Sequence, residues 1–438
     1  MKVSRFVNYI KESIKSNKEE EQLRLIYIIA LVSCFFHLMF AWNYHSGCDS
    51  YWFNGLDHLR TPLYPFIRWV SWKWPITTIL QYCFYLFSIK FFYRTVKELI
   101  QSDLFVFITT LLYVIHPVFL MYHNNMQTES LSLSGSVFYI YLLTKCLNNY
   151  SHKYCLIYHL IVLLLIFLRP SFIYLLPISS IIFIKQLLFK QKNVLLFISS
   201  SFVMIIIILI TYIGAIYTKY GVFSISSVGD INLYWMLREK NLLETDNVRD
   251  VKLKYYLNNH KDIFYGDIFW NYYNEANEII DIFGWPALHS VVKSSLQKNM
   301  WEFIKHGNHS TEFSSYIGIS TGDNCQNSFV RTYASSINFY GLMFILFIYF
   351  AIIVSFFLIK KIPWISISFF LIISMHFSTL IIVAPNNYGR LILPSMPLIA
   401  IVLMQIVYIV YVFISMQVQK NGKFQYKKLQ NCFEPIYP

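Results

Sequence analysis

Apolar residues gather along this chain in long, nearly unbroken runs rather than in the one-sided spacing of a surface helix. A helix needs roughly 20 apolar residues to cross about 30 Å of hydrocarbon. Runs at 23–42, 76–93, 104–122, 130–147 and 154–168 read as such helices, followed by 172–184, 194–217, 337–359, 364–383 and 391–416. The fifth and sixth are short. The pattern predicts an all-α polytopic membrane protein with about ten transmembrane helices.

The connecting segments alternate in character. With the basic N-terminus inside, the inner connections carry Lys90, Arg94 and Lys97, then Lys145 and Lys153, then Lys185, Lys190 and Lys192. Lys360 and Lys361 follow, and the tail carries Lys420, Lys423, Lys427 and Lys428. Positive charge is retained on the cytoplasmic side, so both termini are expected there. The outer side then receives 43–75, the segment HNNMQTE, the turn at Arg169-Pro170, residues 218–336 and the segment APNNYGR.

Four regions follow. Residues 1–217 form an N-terminal membrane region of about seven spans. Residues 218–336 carry apolar positions at helical spacing in NYYNEANEIIDIF and SVVKSSLQKNMWEFIKH, which predicts a small helical extracytoplasmic subdomain. Residues 337–416 form a C-terminal membrane region of about three spans, and 417–438 a basic cytoplasmic tail.

Composition excludes several classes. The 438 residues are 56% hydrophobic and only 13% charged, with a mean hydropathy of +0.47. That excludes a soluble enzyme or a disordered chain. Long apolar runs also exclude an outer-membrane barrel, whose strands alternate in polarity. The net charge of +13 would suit nucleic acid, but its distribution does not. Residues 219–331 hold 11 basic and 13 acidic side chains, and the excess lies beside the apolar runs. The charge reports topology and predicts no nucleic-acid partner. Seven cysteines lack any CxxC spacing, so a structural zinc site is not expected. Cys48 and Cys325 both fall outside and are a candidate disulfide.

The first outer loop, NYHSGCDSYWFNGLDHLRTPLYPFIRWVSWKW, has the aromatic, basic and proline content of interfacial helices. Its acids are Asp49 and Asp57. Each can cap a short helix or pair with Arg60, and each can serve as a base or ligand. Glu129 opens the fourth span, where it can stabilise a helix N-terminus or orient a ligand. Arg169 and Arg390 stand at span ends on the outer side, suited either to anchoring at headgroups or to binding a phosphate. His45, Asp49, Asp57, His123 and Glu129 share that face, so a divalent metal stays an open cofactor expectation although their spacing is not compact. No other cofactor is implied.

Four segments resemble the GT-C superfamily of membrane glycosyltransferases, which includes protein O-mannosyltransferases and aminoarabinose transferases. Asp49, Tyr51 and the run Arg60-Thr61-Pro62-Leu63-Tyr64-Pro65 resemble its first-loop signature of Asp, Tyr and RTPxYP. HPVFLMYHNNMQTES resembles its third-to-fourth span connection, LRPSF its mid-chain RP, and YGRLILPSMPL its late RYxxPxxP. The late segment departs from the pattern, since Tyr388 precedes Arg390 by two positions. The resemblance implies a GT-C-like fold with interfacial helices in the first loop. It also implies sugar transfer, with inversion, from a polyprenyl-phosphate carrier to a glycan, lipid or protein acceptor at the outer face. On that footing Asp49 is the base, and Arg390, Arg169 and Arg60 bind the carrier phosphate. Tyr51, Asp57, Tyr64, Glu129 and Tyr388 would bind or orient sugar and acceptor. The setting this implies is a bacterial inner membrane, with membrane lipids as partners.

Two other functions fit the same pattern of spans. An O-antigen-type polymerase shares the many spans, large outer loop and outer arginines. A lipid or glycan transporter would instead place ionisable groups within its spans and break helices in pairs.

Overall fold

In a computed structural model the chain is described over residues 19–40, 61–71, 74–124, 128–189, 192–245, 248, 250–259, 268–305, 339–358, 363–383 and 393–418. Among these residues there are helices and turns and no strands. The helices are α1 (Glu19–Phe40), α2 (Leu63–Ser71), α3 (Trp74–Leu99), α4 (Asp103–Val114), α5 (Pro117–Asn124), α6 (Thr128–Asn148) and α7 (His152–Leu168). A 3-10 turn over Pro170–Tyr174 leads into α8 (Leu175–Leu188) and α9 (Lys192–Tyr220). Next come α10 (Val228–Glu239), α11 (Val251–Asn259), α12 (Ile268–Phe283) and α13 (Trp285–Lys305). The chain then forms α14 (Phe339–Leu358), α15 (Trp364–Val383), a 3-10 turn over Leu393–Ser395 and α16 (Met396–Val418).

Four of these segments are long and apolar enough to cross a bilayer: Thr128–Asn148, Pro170–Leu188, Lys192–Tyr220 and Leu393–Ser415. Among the described residues that is fewer than the ten apolar runs, and some of the differences have local causes. The run at 104–122 is two helices, because Pro117 has no amide hydrogen and disfavours helical backbone at His116. Helix α3 is 26 residues long, yet carries Lys90, Arg94, Lys97 and Glu98 in its second half. Helix α7 has 17 residues, at the short end of the length that spans a bilayer.

The bundle is apolar outside and mixed inside. Leu196, Val203, Ile207 and Ile210 on α9, and Val407, Val410 and Phe413 on α16, are exposed. Such surface suits lipid and would be an aggregation hazard in water. Helix α6 is the opposite case, with 78% of its apolar window buried by neighbours. It packs most closely on α3 and α7 and carries Ser130, Ser132, Ser134 and Ser136, all buried. Small residues let membrane helices approach closely. Gly135 marks the tightest point: a Cβ there would meet Leu165 Cδ2 at 2.8 Å.

A second hydrophobic core is built from Ile231, Tyr234, Leu237, Ala276, Ile279, Trp285, Leu288 and Val291 of α10, α12 and α13. Helix α10 also touches α15, which sets this unit at one end of the bundle. Gly284, at φ +84°, makes the sharp turn between α12 and α13 that a side chain would strain. Arg238 and Glu275 pair inside the unit at 3.1 Å, and Arg238 also donates to Leu257 O at 3.3 Å. The unit falls within the 218–336 segment; residues 306–338 lie outside the described residues.

Candidate functional site

The bundle gathers polar side chains at the end where α6 begins. Arg169 ends α7 in an extended conformation, φ −148° and ψ 126°. Pro170 is the reason, since the residue before proline is driven out of the helical region. The guanidinium therefore leaves the helix where α7 stops and turns to Glu129, in the first turn of α6, with Nη2 3.6 Å from Oε1. Arg169 is 11% exposed and Glu129 2%. A charge so buried is retained only with a partner. The α6 N-terminus adds a favourable field for the carboxylate.

Tyr64 approaches the same region from α2. Fully buried, it donates to Gln81 Oε1 at 3.1 Å, and Gln81 Nε2 donates to the carbonyl of His123 at 3.0 Å. The His123 ring packs on Tyr85 with centroids 4.3 Å apart, and its Nδ1 shares a hydrogen bond of 2.6 Å with Ser130 Oγ. Ser130 follows Glu129 directly. The chain from Tyr64 to Glu129 thus runs through Gln81, His123 and Ser130.

A third group completes the cluster. His376 of α15 stacks on Tyr174, centroids 5.2 Å apart and planes at 20°. Its Nδ1 is hydrogen-bonded to Ser395, whose hydroxyl also serves Tyr174. Arg169 acts electrostatically on both Tyr174 and His376. Beside them lies a cavity lined in part by Ser136, Tyr139, Tyr174, Pro394 and Ser395, with room for about one water molecule.

Of the residues singled out from the sequence, Tyr64, His123, Glu129 and Arg169 are described, and they meet in this region. His45, Asp49, Tyr51, Asp57, Arg60, Tyr388 and Arg390 lie outside the described residues, as do Cys48 and Cys325. Among the described residues no cluster of three or more His, Cys, Asp or Glu side chains could hold a metal. Gln81, Ser130, Tyr174, His376 and Ser395 were not legible as site residues. Tyr174 and Ser395 do stand close after the RP and LILP segments, and His376 is an ionisable residue inside an apolar run, itself a pointer to function.

The arrangement pairs the Arg169 cation with the Glu129 carboxylate at the start of α6. Hydroxyls of Tyr174 and Ser395 and the imidazole of His376 supply neutral hydrogen-bonding groups beside it. No protein-family model matches the chain, and a comparison with curated proteins finds no relative.

Proposed function

We propose that the chain is an integral membrane glycosyltransferase that moves a sugar from a polyprenyl-phosphate carrier to a glycan, lipid or protein acceptor. One observation supports this reading above the rest. Segments far apart in sequence, RTPLYP, HNNMQTES, LRPSFIY and LPSMPL, contribute Tyr64, Glu129 with Ser130, Arg169 with Tyr174, and Ser395 to one region. These are the segments that resemble GT-C enzymes.

In this reading Asp49 takes the proton of the acceptor hydroxyl as the bond from the anomeric carbon to the carrier phosphate breaks. Attack from the opposite face inverts the anomeric centre. The transition state resembles an oxocarbenium ion, as in glycoside hydrolysis. Negative charge grows on the departing phosphate, and Arg390, Arg60 and Arg169 stabilise it. A planar guanidinium fork fits phosphate oxygens well. Glu129 orients Arg169, while Tyr51, Asp57, Tyr64 and Tyr388 shape the sugar and acceptor sites. Approximately ten spans, a bacterial inner membrane and cytoplasmic termini belong to the same proposal, as does a divalent metal at the outer face among His45, Asp49, Asp57, His123 and Glu129.

The test is mass spectrometry of surface and lipid-linked glycans from the native host, comparing wild type, a deletion and the deletion complemented with Asp49→Asn. Loss of the same sugar in both, with the variant at normal levels in the membrane, supports transfer. Unchanged glycans in the deletion overturn it.

One observation favours a transporter instead: His159 and His376 are buried within apolar helices, and the chain breaks at Pro117 and Pro170. Movement of a lipid-linked sugar across proteoliposomes without transfer would establish that reading.

A further inference from the structure

Helices α3 and α6 lie side by side, and at the end away from Glu129 they concentrate basic side chains. Lys90, Arg94 and Lys97 of α3 stand at i, i+4 and i+7, a spacing that sets all three on one stripe of the helix. Lys145, in the last turn of α6, reaches across to α3 and pairs with Glu98. Glu19 of α1 serves two cations at once, with Oε1 3.6 Å from Arg94 Nε and Oε2 3.2 Å from Lys97 Nζ. Lys90 is exposed and has no acidic partner among the described residues. It also lies deepest of the three on α3, about 10 Å further from the helix end than Lys97 at 1.5 Å per residue.

Beside these cations the two helices meet in an aromatic seam. Phe87, one turn from Lys90 and 57% exposed, packs on Phe138 of α6 with centroids 5.6 Å apart. Phe91 packs on Phe138 at 5.2 Å and on Tyr141 at 4.9 Å, and the Lys145 ammonium lies over the Tyr141 ring at 5.6 Å. The seam runs from the cations toward the middle of the bundle.

A lone lysine on an exposed flank can stretch its apolar stem to the headgroups, and would call for nothing more. Lys90 is instead followed on its stripe by two cations that already share one carboxylate. Like charges at this spacing repel one another, so the stripe is short of an anion. A phosphate accepts charge-assisted hydrogen bonds from both arginine and lysine. We propose that the α3–α6 seam binds an anionic phospholipid, with its phosphate on Lys90 and Arg94 and an acyl chain along Phe87 and Phe138. The exposed aromatic surface beside the cations favours a lipid over a soluble phosphate, which has no apolar part to place there. The inference needs the bundle to lie in a bilayer and is independent of sugar transfer. On the topology proposed above the lipid belongs to the inner leaflet, where acidic headgroups meet basic segments.

The experiment uses the full chain in detergent and counts bound lipid by native mass spectrometry as dioleoyl phosphatidylglycerol or dioleoyl phosphatidylcholine is added. The first phosphatidylglycerol should bind at a concentration about tenfold below that needed for phosphatidylcholine. Lys90→Gln and Arg94→Gln should each raise that concentration about fivefold, the effect of one basic side chain at an anionic surface. Lys153→Gln removes an exposed charge from α7 at the same end and should change nothing. Unfolding temperatures measured without added lipid establish that each variant is folded. Excess inorganic phosphate should leave the lipid bound to the wild-type chain. Equal binding of the two lipids, an equal loss in Lys153→Gln, or displacement by inorganic phosphate would overturn the proposal.

Discussion

Arg169 and Glu129 are costly residues to bury, and each is tolerable because of the other. Removing one partner of a buried pair leaves an uncompensated charge, which costs up to roughly 3–5 kcal/mol. Glu129→Gln should therefore lower the thermal unfolding temperature in detergent, and Glu129→Gln combined with Arg169→Met should recover much of the loss. A double variant no more stable than Glu129→Gln would show that the 3.6 Å contact does not carry the charge. Tyr64→Phe removes the hydrogen bond to Gln81 and should cost about 1 kcal/mol. At this scale the sequence was half legible. Arg169 and Glu129 stood out because each is the one charged residue between two apolar runs. Gln81 and Ser395 did not, because nothing in a lone Gln or Ser tells whether a distant helix will supply its partner.

Gly135 leaves room on α6 for the Leu165 side chain of α7. Gly135→Val should overpack the α6–α7 contact at Leu165, costing about 1–3 kcal/mol, and Leu165→Ala should offset part of it. A double-mutant cycle on unfolding temperature measures that coupling. The unit built on the second core carries a pH dependence of its own. Asp230 on α10 accepts from Trp285 Nε1 at 2.6 Å and lies 3.1 Å from His289 Nδ1, and both partners are on α13. That hydrogen bond raises the His289 pKa above its ordinary value of 6.5. Because the folded value is the higher one, the stabilisation is fully present below about pH 6.5 and is lost as pH rises through the folded value. The unfolding temperature of this unit should fall from pH 6 to pH 8, and His289→Gln should flatten that slope. Identical slopes would remove His289 from the account. Helix existence was legible where apolar runs are long, as the match of the 364–383 run to α15 illustrates, but not for α10 and α11. Helix ends were less so: apolarity continues through Pro117, and the break there follows from backbone sterics that hydropathy does not register.

The whole molecule joins an apolar-sided bundle to a unit with its own core at one end. Within the bundle, α6 carries buried polar groups along its length, with Glu129 paired to Arg169 at one end and Lys145 paired to Glu98 at the other. Asp49, Tyr51, Asp57 and Arg60 of the first loop, which supply the chemistry of the proposed reaction, lie outside the described residues. The central claim is sugar transfer from a polyprenyl phosphate, and it has a direct biochemical reading. A deletion strain should accumulate the unused lipid-linked sugar. Its lipid extract can be given to the purified protein in proteoliposomes and followed by mass spectrometry. The account predicts that the accumulated species disappears as free polyprenyl phosphate and a glycosylated acceptor appear, and that Asp49→Asn and Arg169→Met slow this at least 100-fold. If the lipid-linked sugar persists with the wild-type protein at the level seen in empty vesicles, the chain is not a glycosyltransferase of this kind.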